Sequence, residues 1–324
     1  MATFLVTGGA GFIGSHLVER LLGAGQHVLV LDDLSTGSER NLGHLRSNSR
    51  LEVFVDSVAN EALVTELVDR SDFVFHLAAA VGVRLIIESP VRTIETNVYG
   101  TELVLRAADR KKKPVLLTST SEVYGKATKI PFSEDDDLVL GPTARGRWAY
   151  ACSKALDEFL ALAYFRERGL PVVVARLFNT VGPRQTGRYG MVVPSFVSQA
   201  LAGEPITVFG DGRQRRCFCY VGDVIDALVP LVSDSRAWGG VFNVGSEEEV
   251  TVLELAERVK MRLESASEIV FVSYGEAYGS DSGFEDMYRR IPDLRRIRTL
   301  LGFEPRTRLD EIIDRVAEHC RVPA

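Results

Sequence analysis

Six stretches of this chain are apolar nearly throughout, and helical patterns separate them. "FLVTGG" (4–9), "HVLVLDD" (27–33), "LEVFVD" (51–56), "FVFHLAA" (73–79), "PVLLTST" (114–120) and "PVVVARLF" (171–178) read as strands, with helices over 12–23, 60–69, 92–110 and 148–168 among the spacers. A strand that is apolar on both faces must be buried on both faces. Strands of this kind alternating with helices imply an α/β fold, a doubly wound parallel sheet covered on each side. In such sheets ligands bind beyond the carboxyl ends of the strands, so the residues closing each apolar run are the first candidates for function.

Past residue 180 the pattern loosens, and Gly, Pro and Arg become frequent. Two amphipathic helices stand out near 251–263, with Thr251 and Glu254 placed as a capping box, and near 308–320. The reading is two units: a nucleotide-binding domain over 1–181 and a smaller mixed α/β lobe over 182–324. A segment near 215–245 is expected to return to the first domain. The stretch "SYGEAYGSDSG" (273–283) reads as a polar, mobile loop. The charge runs Glu134–Asp137 and Lys111–Lys113 read as solvated surface.

With 324 residues, 46% hydrophobic, the chain has ample material for a large core, and a net charge of -6 argues against nucleic-acid or membrane-surface partners. No run is long and apolar enough to span a bilayer, and the N-terminal "MATFLVTGG" lacks a basic region, so a cytoplasmic location is expected. Four cysteines (Cys152, Cys217, Cys219, Cys320) are too few for a disulfide framework. Cys217 and Cys219 share a strand face but lack a second ligand pair, so they read as buried thiols and no metal is expected.

"VTGGAGFIGSHL" (6–17) joins the first strand to the first helix. Gly9, Gly11 and Gly14 satisfy G-x-G-x-x-G, with Gly8 one step earlier. Glycines here let the backbone turn tightly and approach a pyrophosphate that meets the helix N-terminus. Asp32 closes the second strand 18 residues past Gly14, where a ribose-binding acid is expected. Asp32 and Asp33 repel a 2'-phosphate, so the expected cofactor is NAD on a Rossmann-type sheet. Candidate contacts are Gly8, Gly11, Phe12, Ile13, Gly14 and Asp32, with Asp56 and Ser57 toward the adenine and Ala78 leaving room for the cofactor to lie flat.

The fifth strand ends in Thr118, Ser119, Thr120, Ser121 and Glu122, an unusual polar close to a buried run. Nearby, "RWAYACSKALDEF" (147–159) reads as a helix with Tyr150 and Lys154 four apart on one face. An ammonium beside a phenol favours phenolate, and such a tyrosine takes a proton from an alcohol while a nicotinamide takes the hydride. Both residues also serve as cofactor contacts. A cluster of Arg213, Arg215 and Arg216 suits phosphate.

Together, Gly8–Gly14, Thr120, Tyr150 and Lys154 resemble the extended short-chain dehydrogenase/reductases, in the nucleotide-sugar epimerase/dehydratase/decarboxylase branch. "RLFNTVGPR" (176–184) and "VFGDGRQRRCFCYVGDV" (208–224) are similar to that branch's substrate segments. The resemblance implies a UDP-sugar substrate contacted by Asn179 and Arg216, transient oxidation at sugar C4, and a homodimer through the helices 92–110 and 148–168. Leu103, Leu105, Phe159 and Leu162 are the apolar residues available for that interface.

Thr120, Ser121 and Glu122 resemble the UDP-glucuronate decarboxylases, and "YGSDSGFEDMYRRIPDLRRIRTLLGFEP" (278–305) maps their arginine onto Arg290. Asp281 and Ser282 are extra residues relative to that pattern, and Phe284 stands where a tyrosine is expected. The expected activity is decarboxylation of UDP-glucuronic acid, with the terminal hydroxyls and Glu122 meeting the sugar. The alternatives are a UDP-sugar 4-epimerase, in which Arg184 and Arg188 hold a retained carboxylate, and a non-catalytic NAD-binding protein.

Overall fold

Two-sided apolar strands belong in the middle layer of three, and the computed structural model places them there. It describes residues 1–81, 89–187, 191–278 and 287–321, with the side chains of Arg147 and Tyr278 left aside. The chain runs β1 (Thr3–Thr7), α1 (Phe12–Gly23), β2 (His27–Asp32), β3 (Leu51–Val55), α2 (Glu61–Arg70), β4 (Phe73–His76), α3 (Pro90–Asp109), β5 (Val115–Thr120), α4 (Arg147–Arg168) and β6 (Val172–Leu177). It continues through β7 (Thr180–Val181), α5 (Val192–Ala202), β8 (Ile206–Phe209), β9 (Arg215–Cys217), β10 (Cys219–Tyr220), α6 (Val221–Ser233) and β11 (Val241–Val244). The remaining elements are β12 (Glu249–Thr251), α7 (Val252–Arg262), β13 (Ile269–Val272), α8 (Tyr274–Tyr278), β14 (Arg289–Arg290), α9 (Arg295–Leu301) and α10 (Leu309–Arg321).

The main sheet has seven strands in the order β11-β6-β5-β4-β1-β2-β3, every pair parallel. Its residues alternate between two cores, as strand geometry requires. Val6, Val28, Val30 and Phe75 pack under α1 and α6, while Leu5, Leu29, Leu31 and Val74 pack under α2, α3 and α4. Each fully buried Leu or Val contributes about 1.5–3 kcal/mol. A cut such as Leu31→Ala would cost about 2–5 kcal/mol. The winding reverses between β1 and β4, and this reversal opens a crevice at their carboxyl ends.

A second core lies beyond. α5, α7 and α10 share Val193, Phe196, Val197, Val259, Ile312 and Val316. Thr251 and Glu254 close the expected capping box at the start of α7. β12, β9 and β14 form a three-stranded sheet there, and β13 pairs with β8. No described helix is long and apolar enough to cross a membrane.

Three local expectations change. Glu134 is buried rather than solvated, because its carboxylate caps the backbone N–H of Asn243 at 2.8 Å. Leu103 and Leu105 face the sheet, so they are not spare for an interface. The stretch expected as a loop opens with the short helix α8; its residues 279–283 lie outside the described residues, Asp281 and Ser282 among them, as does Phe284.

Candidate active site

The β1–α1 turn is built so tightly that side chains are excluded from it. Gly8 has φ +72°, and a Cβ there would lie 2.8 Å from the backbone N of Ala78. On Gly14 a Cβ would come within 2.1 Å of the Gly8 carbonyl oxygen. Gly11 caps α1 with no side-chain acceptor, so the first N–H groups of the helix face the crevice. Asp32 accepts hydrogen bonds from Ala10 N (2.9 Å) and Leu34 N (2.8 Å). Burial raises its pKa above the usual carboxylate value, against the pull of those N–H donors.

A cleft open to solvent runs from this turn past Gly11, Phe12, Ile13, Asp32 and Ala78 to Thr118. Glycine cradle, exposed helix N-terminus and acid fit a dinucleotide. Asp56 and Ser57 lie at the end of β3 with their polar atoms turned to one another and to Asn60 and Ala59. Val58 lines the cleft on that side instead. Arg92, which the sequence reading passed over, lines the same wall opposite Asp33.

The hydroxyl-rich end of β5 divides by strand parity. Thr118 lines the cleft and donates to the His76 carbonyl at 3.1 Å. Thr120 lies two residues on, on the same face, where its oxygen accepts from Glu122 N at 3.2 Å. Ser119 points the other way and donates to Glu158 at 2.5 Å. The expectation that the terminal hydroxyls all face a ligand therefore does not hold for Ser119, which is committed to the interior. Ser121, buried, and Glu122, half-buried, open a single helical turn (Ser121–Tyr124) that packs on α4.

On α4, Tyr150 and Lys154 are buried on one face, as the i, i+4 spacing requires. Lys154 Nζ donates to Asp157 Oδ2 at 2.8 Å. Asn97 of α3 ties the helix to the cleft wall, accepting from Ala80 N (2.8 Å) and donating to Ser153 Oγ (3.1 Å). One turn past Lys154, Glu158 grips Arg176 of β6 through Nε and Nη2, the shortest contact being 2.7 Å. Asn97, Asp157, Glu158 and Arg176 all escaped the sequence reading. Asp157 carried one signal, its place seven residues after Tyr150.

The far end of the site comes from the second lobe. β9 and β14 pair in register, Arg215 beside Arg289 and Arg216 beside Arg290. Parity then sorts four arginines into two pairs. Arg215 and Arg289 face Glu249 on the outside, whereas Arg216 and Arg290 are buried. Arg290 Nη1 donates to Glu122 Oε1 at 2.9 Å, joining residues 168 apart in sequence. Its Nε is buried without a hydrogen-bond partner among the described residues. This places a forked cation beside the turn that carries Ser121 and Glu122.

Other expected substrate contacts are differently placed. Asn179, at φ +28°, donates its amide to the Cys217 carbonyl at 2.9 Å. Arg184 turns away to α1, donating to Glu19 (2.8 Å) and Ser15 (3.2 Å), so its guanidinium is already committed there. Arg188 lies outside the described residues. Cys217 and Cys219 are buried thiols; burial pushes Cys217 up to about 12 and Cys219 higher still. Among the described residues no group of three or more His, Cys, Asp or Glu is gathered to hold a metal.

Comparison with known proteins adds three findings. Residues 4–245 match the model of the NAD dependent epimerase/dehydratase family. The chain is 42% identical to a UDP-N-acetyl-alpha-D-glucosaminuronate decarboxylase of Bacillus cytotoxicus, over 93% of this chain and 92% of that protein. It is 39% identical to UDP-glucuronic acid decarboxylase 1 of Arabidopsis thaliana, over 98% of this chain and 69% of the relative. Among solved structures, the UDP-glucuronic acid 4-epimerase of Bacillus cereus, in complex with UDP-glucuronic acid and NAD, superposes with a TM-score of 0.87 at 28% identity, covering 98% of each chain.

Proposed function

The chain belongs to the NAD dependent epimerase/dehydratase family, and we propose that within it the protein is a decarboxylase of UDP-glucuronic acid or its 2-acetamido counterpart. It is an enzyme, and NAD is its cofactor. The observation that carries the reading is the Glu122–Arg290 pair, a carboxylate and a guanidinium set together beside Thr120 and Ser121. The decarboxylases among the relatives are the more similar by sequence, and 4-epimerases and 4,6-dehydratases are among the structural neighbours.

The glycine turn, the N-terminus of α1 and Asp32 would hold NAD, which would supply a reversible hydride acceptor for sugar C4. Tyr150 takes the C4 hydroxyl proton, with Lys154 favouring the phenolate and Thr120 donating to the same oxygen. The resulting 4-ketone lies beta to the C6 carboxylate. The C5–C6 bond then breaks, its electron pair passes into the C4 carbonyl as an enolate, and carbon dioxide leaves. Tyr150 and Thr120 stabilise that oxygen. Arg290 orients the carboxylate before it is lost, and Glu122 and Ser121 manage the proton that returns to C5. Buried Arg216 suits the diphosphate.

The test is to supply UDP-glucuronic acid, and separately its 2-acetamido analogue, without added NAD, following C4, C5 and C6 by NMR. Loss of C6 with formation of a pentose nucleotide supports the decarboxylase. Conversion to the C4 epimer with C6 retained would replace it with a 4-epimerase. Bound NAD with no turnover of either compound, or of UDP-glucose, would leave a non-catalytic NAD-binding protein.

A homodimer and a cytoplasmic location belong to the same proposal. Outward on α3 and α4 lie Val91, Ile94, Tyr99, Leu156 and Phe159, all exposed, and a second copy of these two helices would cover them. Phe159→Asp is expected to sediment as a monomer; a wild-type protein that is already monomeric refutes the dimer. Four free cysteines suit a reducing compartment.

A further inference from the structure

Two adjacent acids on α4 treat their cations differently. Both oxygens of Glu158 are engaged by Arg176, and Ser119 adds a third donor. Asp157 meets Lys154 through Oδ2 alone; its Oδ1 is buried with no hydrogen-bond partner among the described residues. The Lys154 and Asp157 side chains are 3% and 0% exposed. An ion pair that exists only to hold a helix in place would be expected to satisfy both oxygens, as Glu158 does.

Helical geometry says what Asp157 can act on. Tyr150, Lys154 and Asp157 stand at i, i+4 and i+7, so they fall within about 30° of one line along the helix. Lys154 sits between the phenol and the carboxylate. A lysine removed from water tends to give up its proton unless an opposite charge holds it. Other groups facing this pair supply no such charge. His76 of β4, bonded to Thr7 (2.8 Å) and Thr101 (3.1 Å), is driven down to about 3 by burial and then by Lys154, so it is neutral. Glu158 is committed to Arg176 of β6. Burial raises the Asp157 carboxyl above the usual carboxylate value, against the pull of Lys154 and, less, of the Thr101 hydroxyl on α3.

We propose that Asp157 is a positioning residue, the counter-ion that keeps buried Lys154 protonated and aimed along α4 at Tyr150. The inference rests on Tyr150 and Lys154 being the proton-transfer pair, and not on which sugar nucleotide is the substrate. It makes the working unit of α4 a triad rather than a pair.

The test follows the protonation of Lys154 directly. NAD-loaded protein carrying ¹³Cε-labelled lysine is titrated by NMR, the Lys154 signal being identified by its loss in K154M. In D157N that signal is expected to titrate about one to three pH units lower than in the wild type. The alkaline limb of the turnover profile moves to lower pH with it, and D157E restores both. If D157N does not fold, D157S carries the same comparison. An unchanged Lys154 titration in either neutral variant overturns the proposal and makes Asp157 a packing residue. Failure of the functional reading shows separately, as a wild type without turnover or a Y150F variant that retains it.

Discussion

The two ends of the site hold charge by opposite means. At the end proposed for the cofactor, charge is met by the backbone N–H groups opening α1, set on the glycine turn and backed by one acid from the next strand. At the end proposed for the sugar, it is met by side chains, Glu122, Arg216 and Arg290, on elements far apart in the chain. The first arrangement is fixed by local sterics and tolerates no added atom. The second depends on the register of two short strands. A slip of one residue would exchange Arg216 and Arg290 for Arg215 and Arg289. Cofactor binding should therefore fail abruptly under substitution, and sugar chemistry by degrees.

The largest effect that would sharpen this contrast is Gly14→Ala. With a Cβ 2.1 Å from the Gly8 oxygen, the turn must open, at a cost beyond the ~1–3 kcal/mol of ordinary overpacking. Calorimetry is expected to detect no NAD binding, and a variant that binds NAD normally would break the argument. Next comes Glu122→Gln, expected to slow carbon dioxide release by about 10²–10⁴-fold while NAD content stays at the wild-type level. Joint loss of NAD would show that the two ends are not separable.

A smaller effect is expected for Asp32→Asn, about 10- to 150-fold in NAD affinity, since a charged hydrogen bond contributes about 1.5–3 kcal/mol. Its pH dependence has a definite sign. Asp32 has a raised folded pKa, because burial disfavours the carboxylate. As pH falls, the wild type should lose NAD affinity at a higher pH than an ordinary aspartate dictates, whereas the asparagine variant should not titrate there. The smallest effect is Arg184→Ala. Its partly exposed pair with Glu19 is worth about 1 kcal/mol or less. Turnover should be unchanged and the melting temperature slightly lower; a raised KM would return Arg184 to the sugar.

The same contrast explains what could be read from sequence. Six strands of the main sheet and the helices between them follow from local apolar patterning, and the glycine turn is a contiguous motif with a physical reason at each position. β11 was harder, since a strand of four residues enters the sheet after a long excursion through the second lobe. Ser119 looked like its hydroxyl neighbours because parity at the end of a strand is invisible until the strand's last residue is known. Glu134 looked like surface because it sits among other acids, and the N–H it caps lies 109 residues away. Arg184 and Arg216 are both arginines in Gly-rich stretches; only tertiary structure decides that one faces α1 and the other the interior.

Glu158 also acts as an angular stop. Gripping Arg176 of β6 in a fork, it fixes the rotation of α4 about its own axis, and so the bearing of Tyr150 about two turns earlier. A phenol oxygen roughly 8 Å from a helix axis sweeps about 1.4 Å for every ~10° of rotation, and a misplacement of about 1 Å can cost ~10²-fold in rate. Substitutions at Arg176, remote from any substrate, would then register first as lost alignment in catalysis and only afterwards as lost stability.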